Sequence, residues 1–439
     1  MSSISSLLRA RRFGPFFLAQ LFTAINENLY RNALLLLFAY HAGESASSLS
    51  PELLTSLAAG LFILPYFLFS TLAGRLADRM DKAVLMRRIK IAEIITMVLA
   101  TLGFIMDWFV ALLALIFVLG TLSAFFTPIK YSLLPEQLDE SDLVTGTALV
   151  GLGTFFAVLV GTVAAGGLSM MFFGEELTAV AMVLVAIGGY MASDRVPRSG
   201  AASPHLSLHY NVFAETLRFW HMLRDNRQVF LCMLAVSWFW FLAVAYLSQF
   251  PNFVSQALNA DQAVVTLMLT LFTLGIGAGA LLCEKLSVHR IRLGLAPIGA
   301  VGISLAGIDL FLATPAQPPL QLQGFWDFVL APYGWRILLD LLATGVAAGF
   351  YIVPLLAWVQ QNTPRARRAS FIAGLNIMNS AFMVASALSG AVLLGALSLP
   401  LPAYFLFVAL ANAFILMILG AQAMRRRQRR SVENYSNNS

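Results

Sequence analysis

The first apolar stretch of the chain contains ionisable side chains at helical spacing. Four polar residues share one face of a helix, within an arc of about 80°: Gln20, Thr23, Glu27 and Arg31. Glu27 lies about 17 Å along such a helix from its start near Phe16, close to the middle of a bilayer. A charge at that depth costs about 3 kcal/mol or more, so we interpret Glu27 as a candidate binding group for a cation or a proton. The alternative is a Glu27–Arg31 pair that only neutralises both charges.

Two later apolar stretches carry lysines. Lys90 and Glu93 lie three residues apart in the third stretch. Lys130 and Tyr131 follow Pro128 at the end of the fourth stretch. Both lysines lie near a membrane boundary, so their long side chains could extend to water instead of binding a ligand. Glu93 cannot extend as far, and it is either the ion-pair partner of Lys90 or a site for a substrate or a proton.

The seventh and tenth stretches add further polar and aromatic groups. Trp238 lies too deep in the seventh stretch for an interfacial position, so it either lines a cavity or packs against other helices. Gln249 either binds a ligand or hydrogen-bonds between helices. Arg336 and Asp340 lie four residues apart near the outer surface and predict a structural ion pair.

Membrane-spanning helices must position these groups. The chain has 439 residues, of which 59% are hydrophobic and 11% charged, whereas soluble domains have roughly 25% charged residues. Its apolar runs are about 20 residues long, which is the length that crosses a bilayer as a helix. The sequence therefore predicts an all-α membrane protein with twelve transmembrane helices, near residues 16–39, 52–73, 84–105, 109–128, 143–172, 177–193, 229–250, 263–283, 293–314, 335–358, 369–393 and 401–423.

Lysine and arginine alternate between the connections. They occupy both terminal segments and every second loop, as in 74–88 and 359–368, whereas the opposite loops lack them apart from Arg336 at a span boundary. Because basic residues mark the cytoplasmic side, we predict that both termini are cytoplasmic. The acidic loop at 129–142 does not alter this prediction, since acidic residues contribute little to orientation.

The longest hydrophilic insert divides the chain into two sets of six spans. We predict an N-terminal six-helix half (1–193), a cytoplasmic linker (194–228) with an amphipathic helix at 212–223, a C-terminal six-helix half (229–424) and a basic cytoplasmic tail (425–439). This organisation gives each half the same number of helices.

The two halves are weakly similar to each other. At an offset of 226 residues, Pro128 corresponds to Pro354. Two six-helix halves are typical of transporters that work by alternating access. Lys130 corresponds to Leu356, so the polar group at this position belongs to the N-terminal half only.

Motifs for other kinds of chemistry are missing from the sequence. No His is followed five residues later by Asp, as a lipid acyltransferase motif requires, and no Lys precedes Ser or Thr, as a P-loop requires. His and Cys do not cluster, and Cys232 and Cys283 are too few for a disulfide scaffold. We therefore predict no enzymatic activity, no catalytic residue, no metal and no cofactor. The net charge of +6 fits a surface of anionic lipid, and we predict no nucleic-acid partner.

A signature follows the second predicted span. Residues 74–82 read Gly-Arg-Leu-Ala-Asp-Arg-Met-Asp-Lys, which resembles the signature between spans 2 and 3 of the major facilitator superfamily, with Asp81 in place of a second Gly. The resemblance implies a major facilitator fold. It also implies a gating motif of Gly74, Asp78 and Arg79. In this motif Gly74 lets helix ends approach, and Asp78 faces a helix N-terminus or a cation.

Three segments narrow the resemblance to the bacterial lysophospholipid transporter family: 20–34, 90–93 and 128–136. Similarity in the seventh span is weaker. The chain departs from the family pattern at Glu27, where the family usually has Asp. It also lacks an intramembrane Arg in the seventh span and an acidic residue in the inner part of the tenth.

This resemblance implies a flippase that moves lysophospholipid, notably lysophosphatidylethanolamine, from the outer to the inner leaflet of the bacterial inner membrane for reacylation. Membrane lipids and a lysophospholipid acyltransferase are candidate partners, since close relatives include transporters fused to an acyltransferase. The headgroup carries an ammonium and a phosphate, so we assign Glu27 to the ammonium, Lys130 or Arg31 to the phosphate, and Phe and Leu side chains between the halves to the tail. The candidate ligands are Glu27, Asn26, Asn28, Arg31, Lys90, Glu93, Lys130, Tyr131, Trp238 and Gln249.

Two alternatives remain open. The superfamily signature fits another carrier equally well, such as a drug or amphiphile exporter, and only the motifs of the first and fourth spans favour lipid. A structural scaffold or receptor would need no charge at mid-membrane, and a Glu27 packed in dry protein would favour that interpretation.

Overall fold

The structure is a computed structural model that describes residues 4–41, 51–169, 171, 173–206, 226–287 and 291–417. Within these residues the chain is helical, apart from loops and an isolated bridge between Ala260 and Gln323. The predicted all-α class is confirmed. The predicted amphipathic helix at 212–223 and the basic tail at 425–439 lie outside the described residues.

A long helix coincides with each predicted span. These helices are α1 (Gly14–His41), α2 (Pro51–Arg79), α3 (Lys82–Ile105), α4 (Phe109–Gln137), α5 (Glu140–Ser169), α6 (Gly174–Asp194), α7 (Arg227–Leu247), α8 (Gln262–Ser287), α9 (Leu295–Ala313), α10 (Gly334–Asn362), α11 (Arg368–Gly390) and α12 (Leu401–Met417). Short helical segments lie between them at Ile4–Arg9, Phe250–Asn252, Phe253–Ala257, Phe325–Leu330, Arg365–Arg367 and Ala391–Ala396.

Many of these helices are suited to cross a bilayer. In the described ranges, nine helices are long and apolar enough to do so. Three helices are not among the nine. Charged residues interrupt the apolar sequences of α1 and α3, and the described part of α12, Leu401–Met417, is shorter than the others. Large apolar side chains such as Ile95, Leu305 and Phe414 are exposed on helix surfaces, where lipid would cover them. The chain is therefore a multi-pass membrane protein. That all twelve helices cross, with both termini in the cytoplasm, remains a prediction.

Two helices extend well beyond their predicted spans. Helix α2, expected to end near residue 73, continues to Arg79, and α4, expected to end near residue 128, continues to Gln137. Helix α4 passes through Pro128 and Pro135, which membrane helices tolerate when neighbouring groups satisfy the freed backbone carbonyls. The residues of the gating motif consequently lie on the last turns of α2 and not in a loop.

The chain forms two compact units. The first contains Met1–Trp240, Glu284–Ile291 and Leu355–Met383, and the second contains Phe241–Cys283, Arg292–Pro354 and Val384–Ser439. Within the first unit, α1 packs against α5 and α6, α2 packs against α4, and α3 packs against α4 and α6. The candidate ligands on α1, α3 and α4 therefore belong to one unit. The division into halves at 1–193 and 229–424 remains a prediction.

Glycines let two helices of the second unit approach closely. Gly275 of α8 faces Gly345 of α10, and Gly279 packs against the Val346 backbone. A Cβ atom at Gly279 would lie 2.1 Å from the Val346 carbonyl oxygen. Small residues at such a crossing allow backbone-to-backbone packing inside a membrane.

We expect Gly279→Leu to destabilise the protein by about 3 kcal/mol or more, because the obstructing Val346 atoms belong to backbone that cannot rotate away. Gly167→Leu is the matched control, since no atom lies within 4 Å of a Cβ built at this exposed position of α5. Melting temperature and size-exclusion profile in detergent provide the measurement. Equal melting temperatures for the two variants would contradict the close packing of α8 against α10.

Candidate functional site

Helix α1 presents polar side chains to two neighbouring helices. Asn26 and Asn28 are buried, whereas Glu27 and Arg31 are half-buried. Because successive residues of a helix point about 100° apart, Asn26 hydrogen-bonds to α3 and Glu27 hydrogen-bonds to α4. Asn26 and Glu27 therefore belong to two separate polar clusters.

The first cluster lies between α1, α4 and α5. The Ser123 hydroxyl of α4 donates to the Glu27 carboxylate. Lys130 Nζ, two turns from Ser123 on α4, donates to Thr154 Oγ1 of α5 at 2.8 Å. The Thr154 hydroxyl donates to the Val150 carbonyl at 2.9 Å, and its Oγ1 atom lies 3.5 Å from Gln20 Oε1. We call Gln20, Glu27, Ser123, Lys130 and Thr154 the Glu27 cluster.

The Glu27 cluster contains two opposite charges that do not contact each other. Lys130 is close enough to interact electrostatically with Glu27. In the described part of the chain, however, neither group takes part in an ion pair. Lys130 is only 9% exposed, and the buried Gln20 Nε2 atom has no hydrogen-bond partner. Charges that are removed from water need compensation, so a ligand that carries both a cation and an anion would compensate the two charges.

Arg31 has partners other than Glu27. Its Nη2 atom donates to Asn28 Oδ1 at 2.5 Å, and its guanidinium carbon lies 5.9 Å from the centroid of the Phe62 ring on α2. A cation over an aromatic face is stabilised by the ring quadrupole. The Glu27–Arg31 ion pair, which would have made both charges structural, does not form between these residues.

The second cluster lies between α1, α3 and α4. Lys90 Nζ donates to Glu93 Oε2 at 2.7 Å and to the Thr23 hydroxyl, and Asn26 Nδ2 donates to Glu93 Oε1 at 3.1 Å. The charged side chains are 0% and 2% exposed, and Lys90 Nζ lies 5.4 Å from the Phe126 ring centroid. We call these five residues the Lys90 cluster. Each charge in it has an opposite charge in direct contact.

The structure corrects the expectation that the two lysines extend to water. Lys90 is completely buried because Glu93 and Thr23 satisfy its ammonium inside the helical bundle. Lys130 is also buried, since Thr154 lies within hydrogen-bonding distance on the neighbouring helix. Binding roles for Lys90 and Glu93 remain predictions.

Besides Asn28 and Arg31, which contact each other, three predicted ligands lie outside the two clusters. Tyr131 lies beside Lys130, whose Nζ atom is 5.3 Å from its ring centroid. Trp238 is half-buried on α7. Gln249 follows the end of α7 and accepts a hydrogen bond from Asn252 Nδ2 at 3.0 Å. Their binding roles also remain predictions.

The gating motif joins the end of α2 to the start of α11. Asp78 accepts hydrogen bonds from the backbone N–H groups of Ala369 and Ser370, both at 3.0 Å, and from Ser370 Oγ at 2.7 Å. The start of a helix has unpaired N–H groups and a partial positive charge, so a carboxylate is an effective cap there. A Cβ atom at Gly74 would lie 2.6 Å from Ala373 Cβ, which explains why glycine occupies this position.

The first residues of the linker cover this junction. Ser203 donates its backbone N–H to the Asp78 carbonyl at 2.8 Å and its hydroxyl to the Ala366 carbonyl at 2.9 Å. Gly200, at a φ of 75°, donates its N–H to Asp81 Oδ2 at 2.7 Å. Asp81 also caps the start of α3. The Asp that replaces the second glycine of the signature therefore holds both a helix start and the linker.

We expect Asp78→Asn to destabilise the protein by about 2 kcal/mol, because an amide cannot match a carboxylate as acceptor for three donors at a helix start. Arg79→Ala is the control within the same motif, since Arg79 is exposed. Thermal unfolding of the purified proteins measures the difference. A melting temperature of Asp78→Asn equal to that of the wild type would contradict a capping role.

Two residues of the Glu27 cluster are missing from the sequence prediction. Ser123 precedes Lys130 by seven residues, which is two helical turns, and this spacing is a signal that the sequence contains. Thr154 has no such signal, because its contact with Lys130 depends on how α5 packs against α1 and α4.

Comparison with known proteins identifies relatives of the chain. Residues 16–334 match the sequence profile of the Major Facilitator Superfamily. The chain is 26% identical over 377 residues to the lysophospholipid transporter LplT of Cronobacter sakazakii and 27% identical over 377 residues to that of Citrobacter koseri; each alignment covers 84% of this chain and 86% of the relative. The structure is similar to that of the human organic anion transporter MFSD10, with a TM-score of 0.71 and 15% identity, covering 92% of this chain and 99% of that one. This last similarity shows the fold alone.

Proposed function

The chain belongs to the Major Facilitator Superfamily, and from this premise we propose that it carries lysophospholipid, notably lysophosphatidylethanolamine, from the outer to the inner leaflet of a bacterial inner membrane. Its superfamily and its relatives are transporters, so the chain is a transporter and not an enzyme. The observation that carries the proposal is the Glu27 cluster, whose half-buried carboxylate and buried ammonium have no ion-pair partner among the described residues. The relatives named lysophospholipid transporters support the substrate class.

The chemistry of the headgroup matches the two charges. Glu27 accepts the ammonium of lysophosphatidylethanolamine, and Lys130 binds its phosphate with a charge-assisted hydrogen bond. The unpartnered Gln20 Nε2 atom supplies a second donor on the side of Lys130. Arg31 is the less suitable phosphate ligand, since Asn28 and Phe62 already hold its guanidinium. A zwitterion bound in this way leaves no uncompensated charge in the membrane interior.

Apolar side chains beside the Glu27 cluster provide a surface for the acyl chain. Tyr66 of α2 lies next to Ser123 and within electrostatic range of Glu27. Phe69, one turn further along α2, packs against Phe125 of α4 with ring centroids 6.5 Å apart. These rings are half-buried, and an acyl chain lying on them would stay in an apolar environment while the headgroup binds Glu27 and Lys130.

The transport cycle combines this site with the gating motif. We propose twelve spans in two halves that rock against each other, with both termini in the cytoplasm and the Asp78 cap sealing the cytoplasmic side. Release of the lipid requires that α2 separate from the start of α11. Reacylation of the delivered lipid requires a separate acyltransferase, because this chain lacks an acyltransferase motif.

Uptake of labelled lysophosphatidylethanolamine tests the proposal. Spheroplasts that lack their own lysophospholipid transporter are compared with and without expression of this chain, after size exclusion has shown that the protein is folded. We expect uptake several times above the vector control. Uptake equal to the control would reject lysophosphatidylethanolamine as substrate and favour another amphiphile, such as a drug.

A further inference from the structure

A concave basic pocket lies where α1 and α3 begin and α6 ends. Its volume is about 500 Å³, and four arginines line it: Arg11, Arg87, Arg195 and Arg198. Asp194 is the one acidic side chain among its lining residues. The pocket therefore concentrates positive charge at one end of three membrane helices.

Arg87 forms an ion pair with Asp194 and contacts the backbone that forms part of the pocket wall. Its Nη2 atom donates to the backbone carbonyls of Asp194 and Val196 at 2.8 and 3.1 Å, and its Nε atom lies 3.4 Å from Asp194 Oδ1. These contacts fix the chain where α6 passes into the linker. Asp194 therefore compensates the charge of Arg87 and not that of another arginine in the pocket.

The other three arginines of the pocket are available to bind an anion. Arg11, Arg195 and Arg198 are exposed, and none of them takes part in an ion pair within the described residues. Arg12, the neighbour of Arg11, instead pairs with Asp139 and Asp142. Guanidinium groups bind phosphate oxygens through paired hydrogen bonds, so three of them around a cavity favour a phosphate group as ligand.

Each of the three helices presents an exposed apolar side chain about one helical turn from a lining residue, on the side towards the membrane interior. These side chains form the apolar surface beside the pocket and are 45%, 46% and 55% exposed: Leu18, Ile91 and Met191. A soluble phosphate compound would make no use of this surface, whereas a lipid headgroup in the pocket would place its acyl chains along it.

We propose that this pocket binds the phosphodiester headgroup of an anionic phospholipid in the cytoplasmic leaflet. The charge bias of membrane proteins explains basic residues on this side. It does not explain a cavity beside apolar side chains that is lined by three arginines without an ion pair among the described residues. The site is separate from the Glu27 cluster and does not depend on the proposed transport substrate.

The purified, delipidated chain allows a direct test with dioctanoyl phosphatidylglycerol. Binding is followed by the rise in melting temperature as the lipid is titrated, with dioctanoyl phosphatidylethanolamine and inorganic phosphate as comparison ligands. Arg195→Ala/Arg198→Ala is the test variant, and Arg88→Ala is the matched control, since Arg88 is an exposed neighbour of Arg87 that does not line the pocket.

We expect phosphatidylglycerol to stabilise the wild type and Arg88→Ala alike, and to bind the double variant about 25-fold more weakly, at about fivefold for each arginine. Arg11→Ala, expected to bind about fivefold more weakly, replaces the double variant if the latter does not fold. Equal affinity of the wild type and the pocket variants would overturn the proposed location. Stabilisation by inorganic phosphate to the same extent, or by neither phosphatidylglycerol nor phosphate, would overturn the proposed lipid ligand.

Discussion

Glu27→Gln is expected to lower the uptake of labelled lysophosphatidylethanolamine by about tenfold to a hundredfold. The change preserves the size of the side chain and an oxygen that can accept from Ser123, but it removes the negative charge that faces the ammonium. A hydrogen bond to a charged group contributes about 1.5–3 kcal/mol, and about 1.4 kcal/mol corresponds to a factor of ten. Initial uptake rates into spheroplasts at matched expression provide the measurement.

Glu27→Asp is the matched control for this prediction. It retains the carboxylate on a shorter side chain, so we expect it to retain most of the uptake. Ser123→Ala removes the hydrogen bond to Glu27 but retains the charge of Glu27, so it is expected to have a smaller effect than Glu27→Gln. Undiminished uptake by Glu27→Gln would show that Glu27 is structural, and it would leave the substrate class unaffected.

Lys90→Met is expected to destabilise the protein more than the double variant Lys90→Met/Glu93→Gln, which removes both charges of the ion pair. Lys90 and Glu93 are buried 2.7 Å apart, so the loss of Lys90 leaves a buried carboxylate with no opposite charge in contact. Breaking such a pair from one side costs about 3–5 kcal/mol, whereas replacing both partners by neutral groups costs much less. We therefore expect Lys90→Met/Glu93→Gln to recover most of the melting temperature that Lys90→Met loses.

Uptake by the same double variant separates a structural role of the Lys90 cluster from a binding role. Because its charges compensate each other within the cluster, we expect the double variant to retain at least about half of the uptake of the wild type. A double variant that melts like the wild type and takes up no lysophosphatidylethanolamine would identify Lys90 and Glu93 as ligands. A double variant less stable than Lys90→Met would contradict the ion-pair interpretation.

Apolar length and loop punctuation sufficed to locate the helices, but they did not locate their ends. An apolar run reports only the part of a helix that lies in hydrocarbon. Helix α2 continues through Gly74 and Asp78, where the Asp78 carboxylate accepts a hydrogen bond from the backbone of α11. The donor of this hydrogen bond belongs to a segment about 290 residues further along the chain, which local sequence cannot reveal.

Contacts between helices account for the other differences from the sequence prediction. The spacing of Arg336 and Asp340 predicted an ion pair along α10, but Arg336 instead contacts Asp309 of α9 through Nε at 3.1 Å and Nη2 at 2.5 Å. Helical periodicity identifies partners within one helix only. It placed Glu27 and Arg31 on one face, yet it could not show that Arg31 lies over Phe62 of α2. The sequence identified charged residues in apolar runs as candidate functional residues, but it did not identify their side-chain partners on other helices.

Reconstitution of the purified chain in liposomes tests the central claim, that this chain moves lysophosphatidylethanolamine between leaflets, most directly. Labelled lysophosphatidylethanolamine is added to the outer leaflet, and the fraction that albumin can still extract is followed over time. We predict that the extractable fraction falls several times faster with the wild-type chain than in protein-free liposomes, and that Glu27→Gln abolishes most of this difference. An extractable fraction that falls at the same rate with and without the folded wild-type chain would contradict lysophospholipid transport.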